Sequence, residues 1–189
     1  MKKTKINGYS FILKTNKELS EEDKQEIYKL NIKIYPKFKN YYEKNKYYST
    51  IKPNMVWVIK DKEKVIGTGK FLWKNITVGG KKIKLFSFGI LIDKDYQNKG
   101  LGSKLTKLQI EESRKRKADI VYVSTENPVA EKMAIKSGFK KLNVPIFFKE
   151  VLTNKKMREM NSTLIFEFRK GIIKEIEKLD SLYIGRGPI

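Results

Sequence analysis

The chain has 189 residues, 40% of them hydrophobic and 12% aromatic, and carries 42 Lys and Arg against 21 Asp and Glu, a formal charge of +21. That length and apolar content fit one globular domain, expected to span residues 1–189. The sequence has no Cys and no His, which excludes a disulfide framework, a thiol nucleophile, an imidazole base, a Ser-His-Asp triad and an ordinary zinc site.

In chain order, residues 8–14 read as a first strand. Ser20-Glu21-Glu22-Asp23 resembles a capping box. Ile27, Leu30 and Ile34 follow at helical spacing, and Pro36 marks the helix end. Residues 38–50, rich in Tyr and Lys, predict a second short helix or a loop. Met55–Lys60, Val65–Trp73 and Ile83–Asp93 predict three strands. Turns at 61–64 and at Gly79-Gly80 join them, and such short connections make them antiparallel. Gly100–Lys117 predicts a helix with Leu101, Leu105 and Leu108 on one face. Asp119–Thr125 predicts a buried strand. Asn127–Ser137 predicts a helix with Pro128 in its first turn and Gly138 at its stop. A strand, a helix and a strand in succession imply a parallel crossover. Phe147–Leu152 and Thr163–Arg169 are expected to close the sheet. Gly171–Leu182 predicts a last helix with Ile172, Ile176, Leu179 and Tyr183 on one face. The fold class is α/β: a mixed, mostly antiparallel sheet with one parallel pair, flanked by helices.

No run of 18 apolar residues is present, and the basic start Met1-Lys2-Lys3-Thr4-Lys5 leads into no signal-peptide core, so a cytoplasmic protein without membrane attachment is expected. The charge comes mostly from lysine and is spread evenly along the chain, the pattern of a solvated basic surface rather than one focused groove. No specific nucleic-acid site is therefore expected. Any nucleic-acid binding should be weak, indifferent to sequence and steeply salt-dependent in a filter-binding titration. Nanomolar, sequence-selective binding at physiological salt would contradict this. The sequence leaves a homodimer open.

The stretch with most chemistry is Ile90-Leu91-Ile92-Asp93-Lys94-Asp95-Tyr96-Gln97-Asn98-Lys99-Gly100-Leu101-Gly102. A strand runs through a short loop into a helix start, where unpartnered amides and the helix dipole favour a diphosphate. Gly100 and Gly102 let the backbone approach phosphate closely, and Lys99 and Lys104 add positive charge. A strand-to-helix turn that needs its glycines for geometry alone gives the same residues.

Gln97-Asn98-Lys99-Gly100-Leu101-Gly102 resembles the acetyl-CoA signature of the GNAT superfamily of N-acetyltransferases. Asn127-Pro128-Val129-Ala130 through Lys136-Ser137-Gly138-Phe139 resembles that superfamily's second motif. The resemblance covers about Val56 to Phe139. It implies a GNAT-like fold in which backbone groups of Ile90, Leu91 and Ile92 pair with the pantetheine arm. Amides of Asn98, Lys99, Gly100, Leu101, Gly102 and Ser103 would hold the pyrophosphate, with Gln97 opening the loop. Asn127 would hydrogen-bond the pantetheine, and it also suits a helix N-cap. Gly89 suits a strand bulge or close packing.

The implied reaction is transfer of acetyl from acetyl-CoA, a cosubstrate, to a primary amine by direct attack in a ternary complex. The tyrosine that often protonates the leaving thiolate in the family is Ala134 here, and the position of a frequent glutamate base is Tyr122. Tyr122 is the candidate substitute catalytic residue, although an inward-facing strand tyrosine also serves as core. Asp93 and Glu126 are the nearby carboxylates. The aromatic segment Tyr35, Phe38, Tyr41, Tyr42, Tyr47 and Tyr48 either lines an acceptor site or covers the sheet. A GNAT-fold module that binds acyl-CoA without catalysis is the alternative, and Ala134 favours it.

Overall fold

The computed structural model describes residues 2–48 and 51–187. They group into two compact units, Met1–Leu72 with Gly89–Leu105 and Trp73–Phe88 with Thr106–Ile189.

In the first unit, β1 (Lys2–Ile6) and β2 (Tyr9–Thr15) form an antiparallel hairpin. Asn7 and Gly8 make its turn at φ 51° and 83°, the left-handed pair that a two-residue hairpin loop demands. β2 pairs with β3 (Met55–Asp61), and β3 with β4 (Lys64–Val78), both antiparallel. Helix α1 (Glu21–Ile34) starts where Ser20 accepts from Asp23 N and the Asp23 carboxylate accepts from Ser20 N, a reciprocal cap that satisfies two orphan donors. Its Ile27 and Leu30 pack with Leu19 and Tyr47 on Val56, Val58 and Val65 of the sheet. Pro36–Phe38 form one 3-10 turn, and α2 (Lys39–Asn45) follows.

In the second unit, β5 (Lys81–Ile92) contributes its first eight residues. Leu85–Ser87 run parallel to Ile120–Tyr122 of β6 (Ile120–Thr125). Helices α3 (Leu101–Lys115) and α4 (Pro128–Lys136) come before and after β6 in the chain. β7 (Lys140–Lys141) and β10 (Ser162–Glu167) are antiparallel neighbours, and β10 also pairs with β6. A separate three-stranded sheet holds β8 (Ile146–Lys149) between β9 (Lys156–Arg158) and β11 (Leu182–Arg186). Ile172, Ile173 and Ile176 of the short α5 (Ile172–Ile176) join Ile83, Leu85, Ile120, Tyr122, Ile146 and Ile165 in one core. The large sheet has the strand order β1-β2-β3-β4-β5-β6-β10-β7, with β5–β6 its parallel pair. This is the mixed α/β architecture the sequence predicts.

Several boundaries differ. β1 was outside the expected elements. β4 and β5 are longer than expected and meet at Gly79 and Gly80, both at positive φ. The strand expected at Phe147–Leu152 is β8, and it lies in the small sheet; β10 and the two-residue β7 occupy that end of the large one. The helix expected over Gly171–Leu182 stops at Ile176, and the last element among the described residues is β11. Leu179 still packs on the core as the helical spacing requires, but Tyr183 is 48% exposed on a strand. Residues 49 and 50 of the expected segment 38–50 lie outside the described residues.

Candidate functional site

The glycine loop belongs to the first unit. β5 reaches Ile92, and Asp93 N donates to Ile66 O of β4 at 2.8 Å. A Cβ on Gly67 would stand 3.0 Å from Leu91 O and 2.8 Å from Ile92 Cδ1, so glycine there allows β4 to lie close against the end of β5. At Gly89 a Cβ would meet nothing within 4 Å; close packing is therefore not why that glycine is needed.

Lys94–Tyr96 form a 3-10 turn capped by the Asp93 carboxylate, which accepts from Asp95 N. Asp93 is buried, and Lys33 of α1 donates to it at 2.8 Å and to Asp95 at 3.1 Å. Burial pushes the Asp93 carboxyl up, but the Lys33 hydrogen bond and the Asp95 amide outweigh that and leave it below its ordinary range. Asp93 thus anchors the loop, and a carboxylate so held is poorly suited to act as a base. Gln97 donates its side-chain amide to Ile92 O at 3.1 Å, which ties the loop back to the strand. Tyr96 donates to Asp61 at 3.1 Å, and the Lys99 ammonium lies 4.6 Å from the Tyr96 ring centre.

Between these ties the backbone turns left-handed at Asn98 (φ 61°) and Gly100 (φ 73°). Gln97, Asn98, Lys99 and Gly100 are all exposed, and a Cβ on Gly100 would meet nothing within 4 Å. The first bond of α3 runs from Lys104 N to Gly100 O, so the Leu101 and Ser103 amides precede the i to i−4 ladder. Leu101 is buried and fixes the helix start, while Ser103 is exposed. An open loop with two left-handed residues at the start of a 15-residue helix is chemically fit for an anionic diphosphate. Nothing in it requires a metal, and among the described residues no cluster of three acidic side chains is placed to hold one.

Asn127 and Tyr122 belong to the second unit. Asn127 is exposed and caps α4: its Oδ1 accepts from Val129 N at 2.9 Å, with Pro128 at the first helical position. Its Nδ2 makes no hydrogen bond among the described residues, which leaves a donor for a ligand. Ala134 is buried in α4. Tyr122 is 1% exposed, within the core, and its hydroxyl makes no well-formed hydrogen bond among the described residues. Burial and the Glu159 carboxylate push the phenol above its ordinary range, with Ser124 pulling the other way. Sequence reasoning missed Lys33 as a tie that holds the loop. Lys33 lies 60 positions before Asp93, so no local motif joins the two.

In the aromatic segment, Tyr42 and Tyr47 are buried, whereas Tyr35, Phe38 and Tyr41 are exposed and touch edge to face in succession. The segment is both cover and exposed surface.

The model of the GNAT acetyltransferase family matches residues 24–139, more than half of the chain. Among solved structures, the chain is similar to a protein from Pyrococcus horikoshii OT3 (19% identity, 83% of this chain and 98% of that one, TM-score 0.58). It is also similar to a GCN5-related N-acetyltransferase from Kribbella flavida (12%, 83% and 97%, TM-score 0.59). A third is yncA from Salmonella typhimurium, whose structure contains its cofactor acetyl-CoA (14%, 83% and 93%, TM-score 0.52). At these identities the structures speak for the fold. No curated protein matches the sequence. The match over residues 24–139 runs from within α1 past the end of α4, including the glycine loop and Asn127, and the chain belongs to the GNAT acetyltransferase family.

Proposed function

We propose that the protein is an N-acetyltransferase that transfers acetyl from acetyl-CoA to a primary amine of a small molecule or peptide, by direct attack in a ternary complex. The observation that carries this reading is the open left-handed loop Gln97–Gly100 leading into α3, in a chain of this family. In the reaction the neutral amine nitrogen bonds to the thioester carbon, the C–S bond breaks, and CoA leaves as thiolate while the amine sheds a proton. The amides of Asn98 through Ser103 hold the pyrophosphate, and Gln97 keeps the loop in place. The backbone of Ile90, Leu91 and Ile92 pairs with the pantetheine, and Asn127 donates its spare Nδ2 to the same arm. Catalysis then rests on alignment and on polarisation of the thioester oxygen by a backbone amide.

Tyr122 is our candidate for protonating the thiolate. Its raised pKa keeps the proton on the phenol at neutral pH, the form a donor needs. General acids typically contribute about 10²- to 10⁴-fold. Tyr122→Phe is therefore expected to lower kcat at least about tenfold with acetyl-CoA affinity nearly unchanged. Its melting temperature should not fall, because the lost hydroxyl has no well-formed bond to lose. A kcat within about twofold of the parent would make Tyr122 a core residue only.

The family's usual donor position holds the buried Ala134, and this favours a second reading, an acyl-CoA-binding module without turnover. Release of free thiol from acetyl-CoA across a broad panel of amines separates the two. Amine-dependent release supports transfer, and tight CoA binding without release supports the module.

A further inference from the structure

Lys70 lies on β4 opposite Val56 of β3, which belongs to the cluster packed against α1. It is partly buried, between Gly69 and Phe71, both buried. Its ammonium sits 5.1 Å from the ring centre of Tyr42 in α2, and Tyr42 is 4% exposed. Among the described residues no carboxylate pairs with Lys70. Glu43, the one acid between Tyr35 and Tyr48, is 3.5 Å from Lys39. By contrast, Lys14 and Lys60 of the same unit, with side chains 14% and 15% exposed, share the Asp23 carboxylate. Burial alone pushes the Lys70 amine down to about 8.

Around this cation the surface is aromatic. Tyr35 interacts with Tyr42, whose phenol burial pushes up to about 12. Tyr35, Phe38 and Tyr41 continue outward as a chain of exposed rings. In the last turn of α1, Asn31 is fully buried, and neither polar atom of its amide has a partner among the described residues. Buried polar groups ordinarily find partners. A cation without its anion, over Tyr42 and beside the exposed rings, forms a site lacking one negatively charged, partly apolar ligand.

We propose that Lys70 binds the carboxylate of an anionic acceptor whose apolar body rests on Tyr35, Phe38 and Tyr41, so that the acceptors are amines bearing a carboxylate, such as amino acids with apolar side chains. The word acceptor rests on the acetyl-transfer reading; the carboxylate site does not. Ordinary surface lysines would attract anions only diffusely, whereas a desolvated ammonium discriminates a carboxylate from its neutral amide.

The test uses matched probes. Calorimetry without acetyl-CoA compares 3-phenylpropionate with 3-phenylpropionamide, and turnover compares phenylalanine with phenylalaninamide. The acid of each pair is expected to be favoured at least about tenfold in Kd or kcat/KM. Lys70→Met, which swaps an unpaired buried cation for an apolar chain of similar length, should melt no lower than the parent and lose the preference. If that variant does not fold, Lys70→Gln serves, and carbon-labelled lysine supplies a reading in the parent: the Lys70 amine should titrate higher with 3-phenylpropionate bound. Equal binding of acid and amide, or a preference that survives Lys70→Met, overturns the proposal. Binding preference without any turnover would keep the carboxylate site and refute acetyl transfer. Turnover without preference would do the reverse.

Discussion

Gly102→Asp is expected to abolish the rise in melting temperature that acetyl-CoA gives the parent protein. A ligand that binds only the folded state stabilises it by about 2.7 kcal/mol at a hundredfold excess over Kd, so the parent should show a large shift. Gly102 lies in the first turn of α3, two residues after the left-handed Gly100. A carboxylate at that position adds a negative charge and a Cβ where the pyrophosphate is proposed to lie. The same carboxylate suits the helix itself, because an acid in the first turn is stabilising by about 0.3–1 kcal/mol, and replacing Gly in a helix adds to that. The variant without ligand should therefore melt at or slightly above the parent. That combination, an intact fold with a lost ligand effect, separates damage to the site from damage to the protein. Equal stabilisation of variant and parent by acetyl-CoA would show that the loop is only a turn.

Asp23→Asn is expected to be the most destabilising of the substitutions considered. Asp23 is 1% exposed, caps α1 and accepts from the ammoniums of both Lys14 and Lys60. Breaking a buried ion pair by removing one partner costs about 3–5 kcal/mol. The lysine side chains are 14% and 15% exposed, so their stranded charges regain some water, and about 3 kcal/mol, the low end of that range, is expected. The pH dependence has a definite sign. Burial alone would push the Asp23 carboxyl up, but the two lysine hydrogen bonds outweigh it, and the folded pKa lies below the ordinary value. Its stabilising contribution is therefore fully present above an unfolded pKa of about 4 and is lost as pH falls through the folded pKa. Urea denaturation should find the variant weaker at pH 7, with the difference shrinking in acid. A difference that does not shrink at all as the carboxyl becomes protonated in acid would remove the ion pairs from the explanation.

Local signals in the sequence carried much of this. Ser20 and Asp23 announce the capping box, Gly79-Gly80 the turn, and Asn127-Pro128 the start of α4, because each depends only on residues a few positions apart. The Asn7-Gly8 hairpin was equally local, and its basic, polar flanks hid it: only alternate residues of β1 are partly buried. At the C-terminal end the spacing of Ile172, Ile176 and Leu179 is helical, yet Leu182 and Ile184 alternate with exposed or half-exposed neighbours. The period changes from helix to strand within six residues, too short a window to resolve. Phe147–Phe148 signal a strand, but no local pattern says which sheet receives it. The candidate site divides in the same way. The glycine loop is legible because its chemistry sits in one continuous stretch. The ties that hold it, Lys33 to Asp93 and Tyr96 to Asp61, join residues 60 and 35 positions apart, and no motif contains them. Lys70 carries no sequence signal, since a lysine between Gly69 and Phe71 reads as an outward strand position until the structure sets Tyr42 over it.

The proposal of acetyl transfer meets its most direct test in the paired products. The protein is incubated with acetyl-CoA alone and then with acetyl-CoA and the acceptor panel, and thiol, N-acetyl product and intact protein mass are followed together. Direct attack predicts one N-acetyl amine for each thiol released, release that depends on the amine, and no acetylated protein intermediate before the amine is added. Thiol released without acetylated amine, or no release from a protein that binds CoA tightly, would contradict it.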